Sequence, residues 1–179
     1  MHKEDEVYDT NFLILEFNFF ISFEKKIYMA FLSKLFGSKA SETKSQSGDT
    51  IDAIITDVEN QPFGVSDNNV LFAGLNELGG YFFFQTVIVG QLNVKSKIGA
   101  ELFFIGDDFK LQLKADMPEF ESEDSSIKGR HVTKIDFQIE ESDVEKLENA
   151  TLKSIQIKIK KHDLLFTKYV VIDALDEEE

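Results

Sequence analysis

Cysteine is absent from the 179 residues, which excludes disulfide scaffolds, thiolate zinc sites, iron–sulfur ligation and cysteine nucleophiles together. The three histidines, His2, His131 and His162, are scattered, so a multi-histidine metal site lacks its ligands. Arginine is scarce as well. Of 19 basic residues only Arg130 carries the guanidinium fork that favours bidentate recognition of phosphate and carboxylate. No Gly-rich phosphate loop occurs, because Gly79-Gly80 leads into Phe-rich sequence rather than a helix. Neither His131 nor His162 is accompanied by a serine in a Gly-x-Ser-x-Gly elbow, and both read as surface residues. No catalytic constellation is therefore legible, and the chain reads as non-enzymatic, with no cofactor and no metal expected.

Positive charge is also in deficit. Acidic residues outnumber basic ones 33 to 19, a formal net charge of -14, which repels nucleic-acid backbones and anionic membranes at long range. No nucleic acid is expected as a partner. The lysine, phenylalanine and isoleucine bias is accounted for by an AT-rich genome. The length suits one ordinary domain with appendages, and such a domain can bury a core without staples.

Residues 1–28 contain the run Asn11 to Phe23, in which nine of thirteen residues are large and apolar. It is interrupted by Glu16 and Asn18, is shorter than the ~20 apolar residues of a spanning helix, and follows an acidic segment where a signal peptide would be basic. Two readings stand. In one, Phe17, Phe19, Ile21 and Phe23 alternate as a strand. In the other, preferred one, translation starts at Met29 and residues 1–28 are a misassigned extension. From Met29 the pattern is helical: Phe31, Leu32, Leu35 and Phe36 fall on one side and Gly37 stops the turn, giving a short amphipathic helix over 29–37. These four residues are the candidate contact with a membrane or partner, as a weak peripheral tether. Residues 38–49 have no large apolar residue and read as a flexible linker, and 174–179 as an acidic tail.

Residues 50–173 alternate apolar runs with Gly, Asn and Asp, predicting a mainly β domain, an antiparallel β-sandwich or partly closed barrel of about eight strands. The strands are expected at Ile51 to Asp57, Asn69 to Leu75, Tyr81 to Val89, Lys97 to Ile105, Phe109 to Asp116, Val132 to Glu140, Leu152 to Lys160 and Leu164 to Asp173. Asp107 and Asp108 supply the turn of one hairpin, and Lys161, His162 and Asp163 that of another. Tyr81 to Val89 is apolar on both faces, which demands cover on both sides. One short helix is predicted near 142–149, opened by Ser142 and ended by Asn149, and it is one candidate for that cover. Over Thr133 to Leu147 alone, the closing unit resembles small bacterial β-barrel receptor domains of the PilZ type. That resemblance implies cyclic-dinucleotide recognition by an arginine cluster, for which a chain with the single Arg130 has no counterpart, so it assigns nothing.

Glu119, Glu121, Glu123 and Asp124 crowd into six residues without the spacing of a calcium loop; they read as a mobile, solvated hairpin loop that would face a basic partner. Lys153, Lys158, Lys160, Lys161 and Lys168 read as outward lysines guarding a sheet edge. The functional expectation is a cytoplasmic protein-interaction module, peripheral at the inner face of a membrane if the tether engages. The alternatives are a small apolar ligand-binding barrel, with the phenylalanines lining a cavity, and an acidic inhibitor or immunity-type protein.

The start-site reading has a direct test. A chain beginning at Met29 is expected to melt at the same temperature as the full chain. If the run Asn11 to Phe23 instead completes the sheet, exposing or losing it costs about 25 cal/mol per Å² of apolar surface, and the shortened chain melts lower or aggregates.

Overall fold

In the computed structural model, which describes residues 50–58 and 61–169, the first element is a helix where alternation suggested a strand. Helix α1 spans Ile51–Val58. The Thr50 hydroxyl accepts a hydrogen bond from the Ala53 backbone N–H at 3.2 Å, capping the N-terminus, and Asp52 sits in the first turn. Ile51, Ile54, Ile55 and Val58 recur at helical spacing, and all four face the sheet. The expected strand Ile51 to Asp57 is thus corrected: its β-branched residues gave it a strand-like composition, and burial of one helical stripe decides otherwise.

The strands then follow as β1 (Gly64–Ser66), β2 (Asn69–Leu78), β3 (Tyr81–Gly90), β4 (Lys95–Ser96), β5 (Glu101–Gly106), β6 (Lys110–Lys114), β7 (Phe120–Glu121), β8 (Glu123–Asp124) and β9 (His131–Ile139). Helix α2 (Glu141–Glu148) leads to β10 (Leu152–Ile159) and β11 (His162–Thr167). The main sheet is antiparallel and nine-stranded in the order β6-β5-β10-β11-β1-β2-β3-β9-β8, with β4 and β7 forming a separate pair. It curls into a half-barrel. Just past β6, Ala115 forms an isolated bridge to Phe137 of β9, and the Asp116 N–H donates to the Asp136 carbonyl at 2.8 Å. The partly closed barrel is therefore the correct one of the two architectures, and among the described residues it carries a short helix over Ile51–Val58 besides the one expected near 142–149.

Strand β3 is buried on both faces, as its composition demanded. Inward-facing Phe84 and Ile88 join Leu71, Phe104, Phe137, Ile157 and Phe166 in the larger core. Phe84 meets Phe104 edge-on at 4.9 Å and Phe63 at 5.6 Å between ring centroids, geometry favoured by the ring quadrupole. On the outer face Val87 and Val89 pack with Val70, Phe72 and Val132 under Ile54 and Val58 of α1. The cover of the second face is α1, whereas α2 sends Val144 and Leu147 into the larger core. Helix α2 begins at Glu141, with Glu140 as an N-cap that makes no side-chain cap bond, so Ser142 does not open it. Asn149 ends it, donating from its side-chain amide to the Glu145 carbonyl at 2.7 Å.

The turns refine two other expectations. Asp107 and Asp108 do occupy the β5–β6 turn, closed by the Gly106 N–H donating to the Phe109 carbonyl at 2.8 Å. The β10–β11 turn is Lys160-Lys161 instead, with Lys160 at φ 53, while His162 and Asp163 already belong to β11. Strand β11 ends at Thr167; the remainder of the expected strand beyond Tyr169, together with segments 1–28, 29–37, 38–49 and 174–179, lies outside the described residues.

Because Phe84 is fully buried at the junction of three aromatic rings, Phe84→Ala is expected to lower stability by about 3–5 kcal/mol, a transfer loss plus a cavity. Urea unfolding with an unchanged m-value checks it.

Candidate interaction site

Two places concentrate polar groups, and a third concentrates unpaired backbone. The first is the acidic segment. It is not a free loop: β7 pairs with β4 through Glu121↔Lys95, and β8 pairs with β9 through Glu123↔Val132 and Asp124↔His131. Glu121 meets Lys95 at 2.5 Å, and this hydrogen bond and the attraction behind it hold the Glu121 carboxyl below its ordinary value and raise the Lys95 ammonium above its own. Glu123 lies 3.5 Å from the Lys134 ammonium, and Asp124 Oδ1 lies 2.9 Å from His131 Nδ1. The latter contact is close but out of line for a ring N–H hydrogen bond. Glu119 is exposed beside them. Three of the four expected partner-facing carboxylates are thereby engaged by bases of the same chain, and the expected mobility is replaced by two short pairings.

Behind this segment a polar network fastens it to the barrel. The Ser122 and Thr133 hydroxyls are 2.7 Å apart, Ser122 also accepts from the Val94 N–H at 2.9 Å, and Asn69 Oδ1 accepts from the Leu92 N–H at 2.8 Å. Asn93 Nδ2 lies 3.4 Å from His131 Nε2. Asp124, His131 and Asn93 thus form a row of polar side chains, and the serine next to them is spent on Thr133 and on backbone. The row is a fastening. Arg130, 2% exposed, holds Asp57 of α1 at 2.7 Å and so ties that helix to the start of β9. The lone arginine is committed to structure.

The second place is the outer face of β3 and β9, where Gln85 donates to Asp136 at 3.3 Å. Burial pushes the Asp136 carboxyl above its ordinary value, the Gln85 bond opposes this, and nearby Asp116 adds repulsion. The outward lysines are not edge guards on β10, which is flanked by β5 and β11. Lys158 and Lys110 each hold an ammonium 5.3 Å from the Phe103 ring, sheltering it from water. His162 is half-buried at the start of β11. Phe31, Leu32, Leu35 and Phe36 lie outside the described residues. Among the described residues no cluster of three or more His, Asp and Glu is placed to hold a metal, and no helix is long and apolar enough to cross a membrane.

The third place escaped the sequence. Strand β2 pairs with β3 over all ten residues without a bulge, from Asn69↔Gly90 to Leu78↔Tyr81. Its other side meets only the three residues of β1, at Asn69, Val70 and Leu71. From Ala73 to Leu78 no strand lies on that side among the described residues. The Leu71 carbonyl already points that way, accepting from the Phe63 N–H at 2.8 Å, and peptide groups alternate along a strand. Ala73, Leu75 and Glu77 therefore present their N–H and C=O groups outward from the edge. Gly79 and Gly80, at φ 63 and 85, make the tight turn beyond it, flanked by exposed Leu78 and Tyr81. The strand itself carries no proline, no lysine and no bulge, and Glu77 is its one charge.

Asp136 supplies a pH test. Its folded-state pKa is raised, so the folded state holds the proton more firmly than the unfolded one, and the carboxyl opposes folding once pH exceeds that raised value. Asp136→Asn is expected to raise the melting temperature by about 1–3 °C at pH 7. The gain should shrink as pH falls through the raised pKa toward the ordinary value of 3.8. Melts at pH 7 and pH 4 check the sign; a gain that grows on acidification contradicts it.

A scan of family models and searches of curated proteins and of solved structures return no match to this chain, which leaves its geometry to carry the functional argument.

Proposed function

We propose that this chain is a non-enzymatic protein-interaction module that receives an extended segment of another protein at the open edge of β2. The observation that supports this is the unpaired run Ala73–Leu78, regular in geometry and unblunted, beside exposed Leu78 and Tyr81. Edge strands left in this state pair readily with added strands, and recognition by strand addition draws its affinity from main-chain hydrogen bonds. The carboxylates of the acidic segment, the lone arginine and the histidine row are each engaged within the fold, so the docking surface proposed is the strand edge rather than the acidic loop.

The test uses a substitution that removes an edge donor while sparing the core. Glu77 is exposed and its N–H points outward, so Glu77→Pro deletes that donor without breaking the ladder to β3. A partner captured by the wild-type chain is expected to be lost by Glu77→Pro, with circular dichroism and melting showing both chains folded. Capture that is indifferent to Glu77→Pro, or turnover of a metabolite lost on changing a buried carboxylate, overturns the proposal.

A further inference from the structure

Strands β11 and β2 both run antiparallel to β1, so they are parallel to one another, one on each side of it. Val65 is their shared rung, facing Thr167 on one side and Val70 on the other. Two residues further on, Tyr169 comes level with Phe72, and its hydroxyl bond to Asp52 of α1 keeps it on the outer face, as alternation from inward Phe166 requires. The described residues thus end level with the start of the open run, about 10 Å from it at two strand spacings. Between them lies the line of β1, which no strand fills past this level among the described residues. On the other side β10 begins at Leu152, and its pair Ser154↔Thr167 puts that residue level with Tyr169. A straight course beyond Tyr169 would therefore have no neighbouring strand on either side. The sequence nonetheless keeps the composition of a strand there, with Val170, Val171 and Ile172 in succession.

We infer that residues 170–175, VVIDAL, step into the line of β1 and pair in parallel with Ala73–Leu78, so that the chain covers its own edge until a competing strand displaces them. The inference rests on the strand-addition reading and adds its regulation. Counted from the Thr167 rung, Val170 comes level with Ala73 and Leu175 with Leu78, so six residues match six. A sideways step of one spacing, ~4.8 Å, takes little from a run of six residues that is ~20 Å long. The alternation fits as well. Val170 and Ile172 share the face of Phe166, where Leu75 and Phe63 are half-buried against the larger core, and Leu175 shares the outer face with exposed Leu78. Tethering gives this segment an effective concentration of about millimolar, which favours it over a free strand of equal intrinsic affinity.

Amide hydrogen exchange in the full chain tests this at Ala73, Leu75 and Glu77, with Gly74 and Asn76, whose amides point to β3, as the control for folding. The three edge amides are expected to exchange slowly at every protein concentration. In Val171→Pro/Ile172→Pro the adjacent prolines remove a donor whichever of the two faces β2, so protection of the three should fall about tenfold or more while Gly74 and Asn76 stay protected. The probe is then a capped synthetic peptide of residues 169–176. It should restore protection in the proline variant and bind it about tenfold or more tightly than it binds the wild-type chain, whose edge is already filled. Fast exchange of the three amides in the wild-type chain shows a free edge, which overturns the inference and leaves strand addition by another protein standing. Slow exchange that survives the prolines shows a different occupant and also overturns it: a second copy if protection grows with concentration, another part of this chain if it does not. Lost protection that the peptide fails to restore overturns strand addition in trans, and the inference with it.

Discussion

The constraint on which this structure turns is the shortness of β1. Its three residues join two four-stranded halves, β6-β5-β10-β11 and β2-β3-β9-β8, and it meets β11 through the single register pair Val65↔Thr167. Gly64 shows why the approach is close: a Cβ placed there would lie 3.1 Å from both Phe166 Cβ and the Thr167 carbonyl. A longer β1 would have satisfied the rest of β2 and closed the wall. Because it stops, β2 runs on from Ala73 to Leu78 with one side committed to β3 and, among the described residues, no strand on the other.

The remaining features keep a sheet with so narrow a joint in one shape. The Ala115↔Phe137 bridge ties the far ends of the circuit, and the inner core fills the space between the halves with edge-on aromatic rings from β3 and β5 and the Phe63 ring ahead of β1. Helix α1 works from outside. It spans the valines of β2, β3 and β9, and the buried Arg130 grips its Asp57 while Tyr169, past the end of β11, reaches Asp52 with its hydroxyl at 3.0 Å. The helix is therefore held on one side of the β1 joint by strands and on the other by Tyr169. Removing Asp57 would take this partner from the buried Arg130 guanidinium, which costs more than breaking a pair exposed at both ends.

Much of the fold was legible because it was local. The two-faced apolar run Tyr81 to Val89 demanded double cover and received it, the Gly-Gly turn uses the positive φ that glycine allows, and Asp107-Asp108 occupy the turn where they were expected. Helix α1 was legible in principle: Ile51, Ile54, Ile55 and Val58 keep helical spacing behind a Thr50 cap, but five β-branched residues in eight outweighed the period. The pairing of the acidic segment was not legible, since its bases Lys95, Lys134 and His131 come from elsewhere in the chain. Least legible was the candidate site. An open edge is the absence of a neighbour, fixed by how far a three-residue strand extends, and Ala73, Leu75 and Glu77 carry no side-chain signature of it.

An unblunted edge and a large net charge bear on one another. Edges invite pairing with any exposed strand, including an identical one, and natural proteins restrain this with charge. Here the edge itself supplies only Glu77, but α2 places further carboxylates at the same end of the half-barrel. Like charges repel over roughly a Debye length, about 8 Å at physiological salt, which is the scale separating Glu77 from the start of α2. Main-chain hydrogen bonds are the same for every sequence, so discrimination at an edge of this kind comes from the side chains and the field around it.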